Sequence, residues 1–314
     1  MQIVANGIAI EVDDQGPANA EPLLLIMGLG MQLVAWPQAL VDDLVARGFR
    51  VIRMDNRDIG LSQHLDALRT PNLVWAALRY KLGLRVRSPY SLADMADDAV
   101  AVLDALGIFH AHICGASMGG MIAQRIAAKH PQRVSSLTLI MTTSGARHLP
   151  QASPAVRRVM ITRPRSTAEP DVLAHLERLW AAIGSPGFRP EPPVLRERLQ
   201  ATLRRSYHPD GAARQLVAIV ADGDRSPLLR EITAPTRVIH GHDDPLVPVA
   251  SAHDLLGKIA NAVPDIIPGM GHDLPDVLLP RIAAGIAENA ARAVQGLEAP
   301  AALAPLATPT SIAG

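Results

Sequence analysis

The chain has 314 residues, 48% hydrophobic and 19% charged, a length that accommodates two small domains or one large α/β domain and a composition too apolar for intrinsic disorder. No uninterrupted apolar run of about 18 residues is available to span a bilayer. Thirty basic residues offset thirty acidic ones, and Phe, Trp and Tyr number three each, so neither a global basic field nor a base-stacking surface for nucleic acid is expected.

The chain opens as a hairpin, with Ile3-Val4 and Ile8 to Val12 flanking Asn6-Gly7, a dipeptide suited to the positive φ angles of a tight turn. Leu23 to Ile26 is apolar on both faces, as in a parallel strand covered by helices on each side, and it ends in Gly28-Leu29-Gly30. Leu40, Val41, Leu44 and Val45 recur at helical spacing before a second such strand, Val51 to Met54. Ser91 and Asp94 form a capping-box pattern ahead of the stripe Met95, Ala99, Val102, Leu103 and Leu106. Ala111 to Cys114 reads as a strand. A helix from about Met118 to Lys129 should stop before Pro131, and Val134 to Met141 is the next strand.

After residue 146 the alternation breaks into a Pro- and Arg-rich segment with helical stretches near Val172 to Ile183, Val194 to Arg205 and Ala212 to Ala221. The rhythm returns with the strand Arg237 to His240, a helix near Ala250 to Ile259, the run Asp265 to Ile267 and a last helix from about Val277 to Gln295. Together these predict an α/β core over residues 1–146 and 223–296, a mostly parallel sheet with helices on both faces, and an inserted helical cap over 147–222. The Ala/Pro-rich tail 297–314 is expected to be mobile. The lone Cys114 rules out an internal disulfide framework, and the start shows no leader pattern, so a cytoplasmic location is expected.

Gly115-Ala116-Ser117-Met118-Gly119 lies between a predicted strand and a predicted helix. A G-x-S-x-G pattern is weak alone, but at a sharp strand-to-helix turn the flanking glycines are needed because side chains there would collide with the neighbouring elements. Here the chain resembles the α/β-hydrolases over roughly residues 20–290, and within them the capped serine esterases, the group of aclacinomycin methylesterase and related carboxylesterases. Leu25 to Gly30, Arg53 to Asp58, Ser117 with its flanks, Gly241 to Pro245 and Gly269 to His272 carry the likeness. The order Ser, Asp, His along the chain is the order that fold uses.

A serine hydroxyl needs a base, and His272, after the last predicted strand, can reach across the carboxyl edge of the sheet. The imidazole needs an acceptor on its other nitrogen, and both Asp243 and Asp244 lie in the turn after the strand ending at His240. The resemblance selects Asp244, because the family acid stands four residues before a proline, here Pro248. The Met118 amide, at a helix start, favours an oxyanion, and the resemblance places the second donor at the Leu29 amide. One departure is that Met27-Gly28 replaces the His-Gly of many relatives.

The expectation is a carboxylic ester hydrolase that forms an acyl-enzyme on a small to medium apolar ester, using no cofactor and no metal. Two alternatives stand beside it: a carbon–carbon bond hydrolase or lactonase on the same residues, and a ligand-binding protein that retains the framework. His240-Gly241-His242-Asp243-Asp244 has metal-like H-x-H-x-D spacing, but Pro245 stands where a further histidine would complete it. His110 and His112 share a strand face without a third ligand nearby, and Asp55, Arg57 and Asp58 read as a surface loop network outside the site. Between Ala67 and Ala93 there is no acidic residue, while Arg69, Arg79, Lys81, Arg85 and Arg87 interleave with Trp75, Leu78, Tyr80, Leu82 and Leu84. This stretch reads first as a surface insertion packing on the cap or on a second copy in a homodimer, and second as an interfacial helix.

Overall fold

The computed structural model describes residues 1–298. Asn6 and Gly7 take φ values of 49° and 77°, and this two-residue turn folds β1 (Gln2–Ala5) back on β2 (Ile8–Gln15) with Ala5 opposite Ile8. There follow β3 (Glu21–Ile26), α1 (Gln38–Ala46), β4 (Phe49–Met54), α2 (Leu73–Lys81), α3 (Leu92–Ala105), β5 (Ala111–Ala116), α4 (Met118–Lys129) and β6 (Val134–Ile140). Four helices come next: α5 (Pro154–Ile161), α6 (Glu169–Ile183), α7 (Pro192–Arg205) and α8 (Pro209–Asp222). The chain then continues through α9 (Ser226–Leu229), β7 (Thr236–Gly241), α10 (Ala250–Lys258), β8 (Ala262–Ile267) and α11 (Leu279–Glu298).

The strands make one eight-stranded sheet in the order β1-β2-β4-β3-β5-β6-β7-β8. It is antiparallel at β1–β2 and β2–β4, and parallel from β4 through β8. The double-faced apolar strands have a direct reason. Leu24 and Ile26 of β3 enter one core beneath α3 and α4, whereas Leu23 and Leu25 enter a second core with α1 and α11. The same alternation sends Ile113 one way and Cys114 the other. Burial without a partner raises the Cys114 thiol far above its ordinary pKa.

Helix α3 begins on the anticipated reciprocal cap: the Ser91 amide donates to Asp94 Oδ2 at 2.7 Å and the Asp94 amide to Ser91 Oγ at 3.1 Å. The segment after β6 holds one helix more than its periodicity suggests, α5, which is only eight residues long. Every helix of this segment begins with proline in its first two positions, so the starts fall ahead of those expected from the apolar stripes. Proline there loses no hydrogen bond and sets the helical φ in advance. The last helix starts later than expected, after a 3-10 turn at Asp276–Leu278, and runs on through Glu298. The expected mobile tail lies outside the described residues apart from 297 and 298. Among the described residues no helix is long and apolar enough to cross a membrane.

The helices between β6 and β7 hold the loops at the carboxyl ends of the strands. Gln32, after β3, donates to Thr202 O at 2.9 Å and Ser206 O at 2.7 Å. After β4, Arg205 pairs with Asp55 at 2.7 Å, and Arg214 grips both oxygens of Asp58 at 2.6 and 2.8 Å. Arg57 pairs with Asp98 of α3 in the same way. The Asp55, Arg57 and Asp58 cluster is therefore buried, not a surface network as the sequence suggested. Its partners are supplied by two distant helices, α7 and α8, and by α3. Burial opposes the charge on Asp58, but the hydrogen bonds and charge of Arg214, together with hydrogen bonds from the Leu65 amide and the Tyr90 hydroxyl, outweigh it and hold the carboxyl below its usual range.

Candidate active site

Ser117 stands between β5 and α4 with φ 55° and ψ −119°, a left-handed conformation that few side chains adopt. The turn is pinned on both sides: the Ser117 amide donates to Ile140 O at 2.9 Å, and Thr142 Oγ1 donates to Ser117 O at 2.7 Å. The glycines are steric requirements. A Cβ at Gly119 would lie 2.0 Å from Ile26 O, and one at Gly115 would lie 2.2 Å from Gly119 O. On the β3 side, Gly28 lets the next loop approach so closely that an added Cβ would stand 3.1 Å from Ser117 Cβ.

The loop after β8 brings His272 to the serine. Its Nε2 is 3.0 Å from Ser117 Oγ, and its Nδ1 is 2.7 Å from Asp244 Oδ2. The other Asp244 oxygen accepts from the Leu246 and Val247 amides at 2.9 and 2.8 Å. With both oxygens occupied and the side chain out of solvent, Asp244 accepts the hydrogen bond of Nδ1–H, which leaves Nε2 bare to accept from the serine hydroxyl. Asp243 points elsewhere. It is exposed and accepts from the Gly269 amide at 2.7 Å, which, with His242, holds its carboxyl below the ordinary range.

The Leu29 and Met118 amides flank the serine from the β3 loop and the start of α4, and among the described residues neither donates to an acceptor. The β3 loop lacks the family histidine, but two other side chains brace it. Asn56 Nδ2 donates to Met27 O at 2.9 Å, and Gln215 Oε1 of α8 accepts from the Gly30 amide at 2.9 Å. Gln215 Nε2 in turn donates to Arg57 O at 2.9 Å. No local pattern marks Gln215, because its partners lie 185 and 158 residues away.

The His272 loop is braced by the end of α6. The His272 amide donates to Ile183 O at 2.8 Å, and the Gly271 amide donates to Ser185 Oγ at 2.8 Å. Asp273 accepts from both the amide and the hydroxyl of Ser185, and burial raises its carboxyl above the usual pKa. Apolar side chains adjoin this region. Met27, Met141 and Met270 share one core cluster, with Met31, Phe188 and Leu274 packed at its partly open margin.

The H-x-H-x-D stretch does not converge on a common point. His240 is buried and donates from Nε2 to Val247 O at 2.8 Å, whereas His242 is exposed beside Asp243. Burial lowers the pKa of His240, as it does for His112, whose Nδ1 lies 2.8 Å from Ser136 Oγ. Of the basic stretch, Leu73, Ala76 and Tyr80 pack with Val217 and Val220, so part of its apolar surface lies on α8.

Residues 21–276 match the family described as alpha/beta hydrolase fold. The chain is 30% identical to the rhodomycin D methylesterase DauP of Streptomyces sp. (strain C5), over 86% of this chain and 90% of that one. It is equally 30% identical to a 2-hydroxy-6-oxononadienedioate/2-hydroxy-6-oxononatrienedioate hydrolase of Cupriavidus pinatubonensis, over 84% of each. Among solved structures, the meta-cleavage product hydrolase of Pseudomonas fluorescens IP01 superposes with a TM-score of 0.72 at 19% identity, over 93% of this chain and 98% of that one.

Proposed function

Because the chain belongs to the alpha/beta hydrolase family, we propose that it hydrolyses carboxylic esters through Ser117, His272 and Asp244, with an acyl-enzyme intermediate. The observation that carries this reading is the unbroken series of contacts, Oγ to Nε2 at 3.0 Å and Nδ1 to Oδ2 at 2.7 Å. Ser117 Oγ attacks the ester carbonyl as its proton passes to His272 Nε2, and Asp244 stabilises the imidazolium that results. The Leu29 and Met118 amides hold the oxyanion. Collapse of the tetrahedral species breaks the bond to the alcohol, which takes the proton from Nε2. Water, deprotonated by the same imidazole, then releases the acid and restores the serine.

The helical segment 147–222 serves as the cap, and the Met, Phe and Leu side chains near the site suit a small to medium apolar ester. The likeness to a methylesterase favours the ester reading. The equal likeness to a hydrolase of an oxo-diene diacid supports a second one, cleavage of a carbon–carbon bond by the same residues. The deciding experiment assays a graded ester series, a lactone and a vinylogous diketone with wild type, Ser117→Ala and Asp244→Asn. Ester turnover should fall about 10⁶-fold in the first variant and about 10⁴-fold in the second. Unchanged ester turnover in Ser117→Ala refutes the mechanism, and turnover of the diketone alone refutes the ester assignment.

A further inference from the structure

Helix α2 has two apolar faces, and the fold uses only one of them. Leu73, Ala76 and Tyr80 pack on α8. At about 100° per residue, Val74, Leu78, Leu82 and Trp75 fall within one arc of about 100° on the opposite side. Val74 is 80% exposed, Trp75 57% and Leu82 64%, and no described element covers them. Leu84, just beyond the helix, is also exposed.

The charges around this arc are of a single sign. Arg79 and Lys81 sit at its two borders, where long stems can lie along an apolar surface while the charged heads stay wet. Arg69, Arg85 and Arg87 flank the helix, so residues 67–93 carry five positive charges and no negative one in a chain whose net charge is zero. An exposed aromatic and aliphatic stripe bordered by cations is complementary to an anionic amphiphile surface, where the stripe enters the acyl boundary and the cations meet headgroups.

We propose that α2 and the loop after it form a docking surface for an anionic lipid interface. The surface lies one helix away from the candidate active site, since α8 carries Val217 against α2 and Gln215 against the Gly30 amide. Docking itself does not depend on the serine chemistry; that the docked chain draws esters from the interface rests on the esterase reading above.

The test is flotation of the full chain with vesicles of phosphatidylcholine alone and of an equal mixture of phosphatidylcholine and phosphatidylglycerol. Wild type and Ser117→Ala should both float with the mixed vesicles and not with phosphatidylcholine alone, so binding is read separately from catalysis. The double variant Trp75→Glu/Leu78→Glu should lose flotation. The double variant Arg79→Glu/Lys81→Glu should bind more than about tenfold more weakly, at roughly fivefold per charge near an anionic surface. Melting temperature and turnover of a short soluble ester should be unchanged in both. The proposal is overturned by wild type that fails to float with mixed vesicles, by equal binding to both vesicle types, or by variants that bind like wild type. A dimer that dissociates in Trp75→Glu/Leu78→Glu, without vesicle binding, would instead assign the face to a second copy of the chain.

Discussion

Gln215 is the side chain through which α8 reaches the loop after β3, and replacing it by Met tests that link. The side chain is fully buried, accepts from the Gly30 amide at 2.9 Å and donates to Arg57 O at 2.9 Å. Met fills similar volume, so the cavity contribution is small, but a buried carbonyl and a part-buried amide lose their partners. At about 1–3 kcal/mol for each, with the carbonyl nearer the low end, the stability loss should be about 2–4 kcal/mol. The Leu29 amide directly precedes Gly30. Displacement of a reacting group by about 1 Å costs about 10²-fold, and loss of an entire oxyanion donor costs about 10²–10³-fold. Gln215→Met should therefore lower kcat by about 10- to 100-fold with KM little changed. Gln215→Glu keeps the acceptor for Gly30 while losing the donor to Arg57, so it should be destabilised yet retain most of kcat. The assay is kcat and KM on a soluble ester beside urea unfolding of each variant. A kcat within about twofold of wild type for Gln215→Met, or equal kcat losses in both variants, refutes the reasoning.

Arg214→Met leaves the Asp58 carboxylate buried without its bidentate partner and should cost about 3–5 kcal/mol; a loss below about 1 kcal/mol in urea unfolding would show that the pair is not structural. Burial depresses the pKa of both His112 and His240, so the unfolded chain binds their protons first as pH falls. The stability they allow is complete above the ordinary histidine value of about 6.5 and declines below it, by at most about 1.4 kcal/mol per pH unit for each histidine. His112→Gln should shallow that decline in unfolding midpoints taken from about pH 7 down to 5, and a profile identical to wild type would contradict the assignment. Gly119→Ala should abolish folding, because its Cβ would stand 2.0 Å from the carbonyl oxygen of Ile26. Gly257→Ala, in α10 with open space around it, should raise stability by about 0.5–1 kcal/mol in the same melts.

What could be read from the sequence follows the range of the physics involved. A strand buried on both faces announces itself within four residues, as Leu23 to Ile26 does. The strand-to-helix turn at Ser117 is equally local, since the crowding that demands Gly115 and Gly119 comes from the turn itself and its neighbours. His272 is legible from its place after the last predicted strand, the choice of Asp244 over Asp243 rests on resemblance, and the geometry brings those two side chains to Ser117. The starts of the helices after β6 were misplaced because proline ends an apolar pattern on paper, yet opens a helix in space. Asp58 looked like a surface charge because nothing near it reveals Arg214, which is 156 residues away. Ser185, which holds Asp273 and the Gly271 amide, was invisible for the same reason.

The loops carrying the serine's neighbours and the histidine are both fastened to the inserted helices, by Gln215 on one side and by Ile183 and Ser185 on the other. Exchanging that insert for one from a relative is thus not a neutral graft of specificity. A chimera that imports a new roof but omits an acceptor for the Gly30 amide, or for those of Gly271 and His272, inherits slack loops beside Ser117 whatever pocket it gains. Laboratory recombination of such enzymes should choose crossover points that keep these few tethers with the scaffold they restrain.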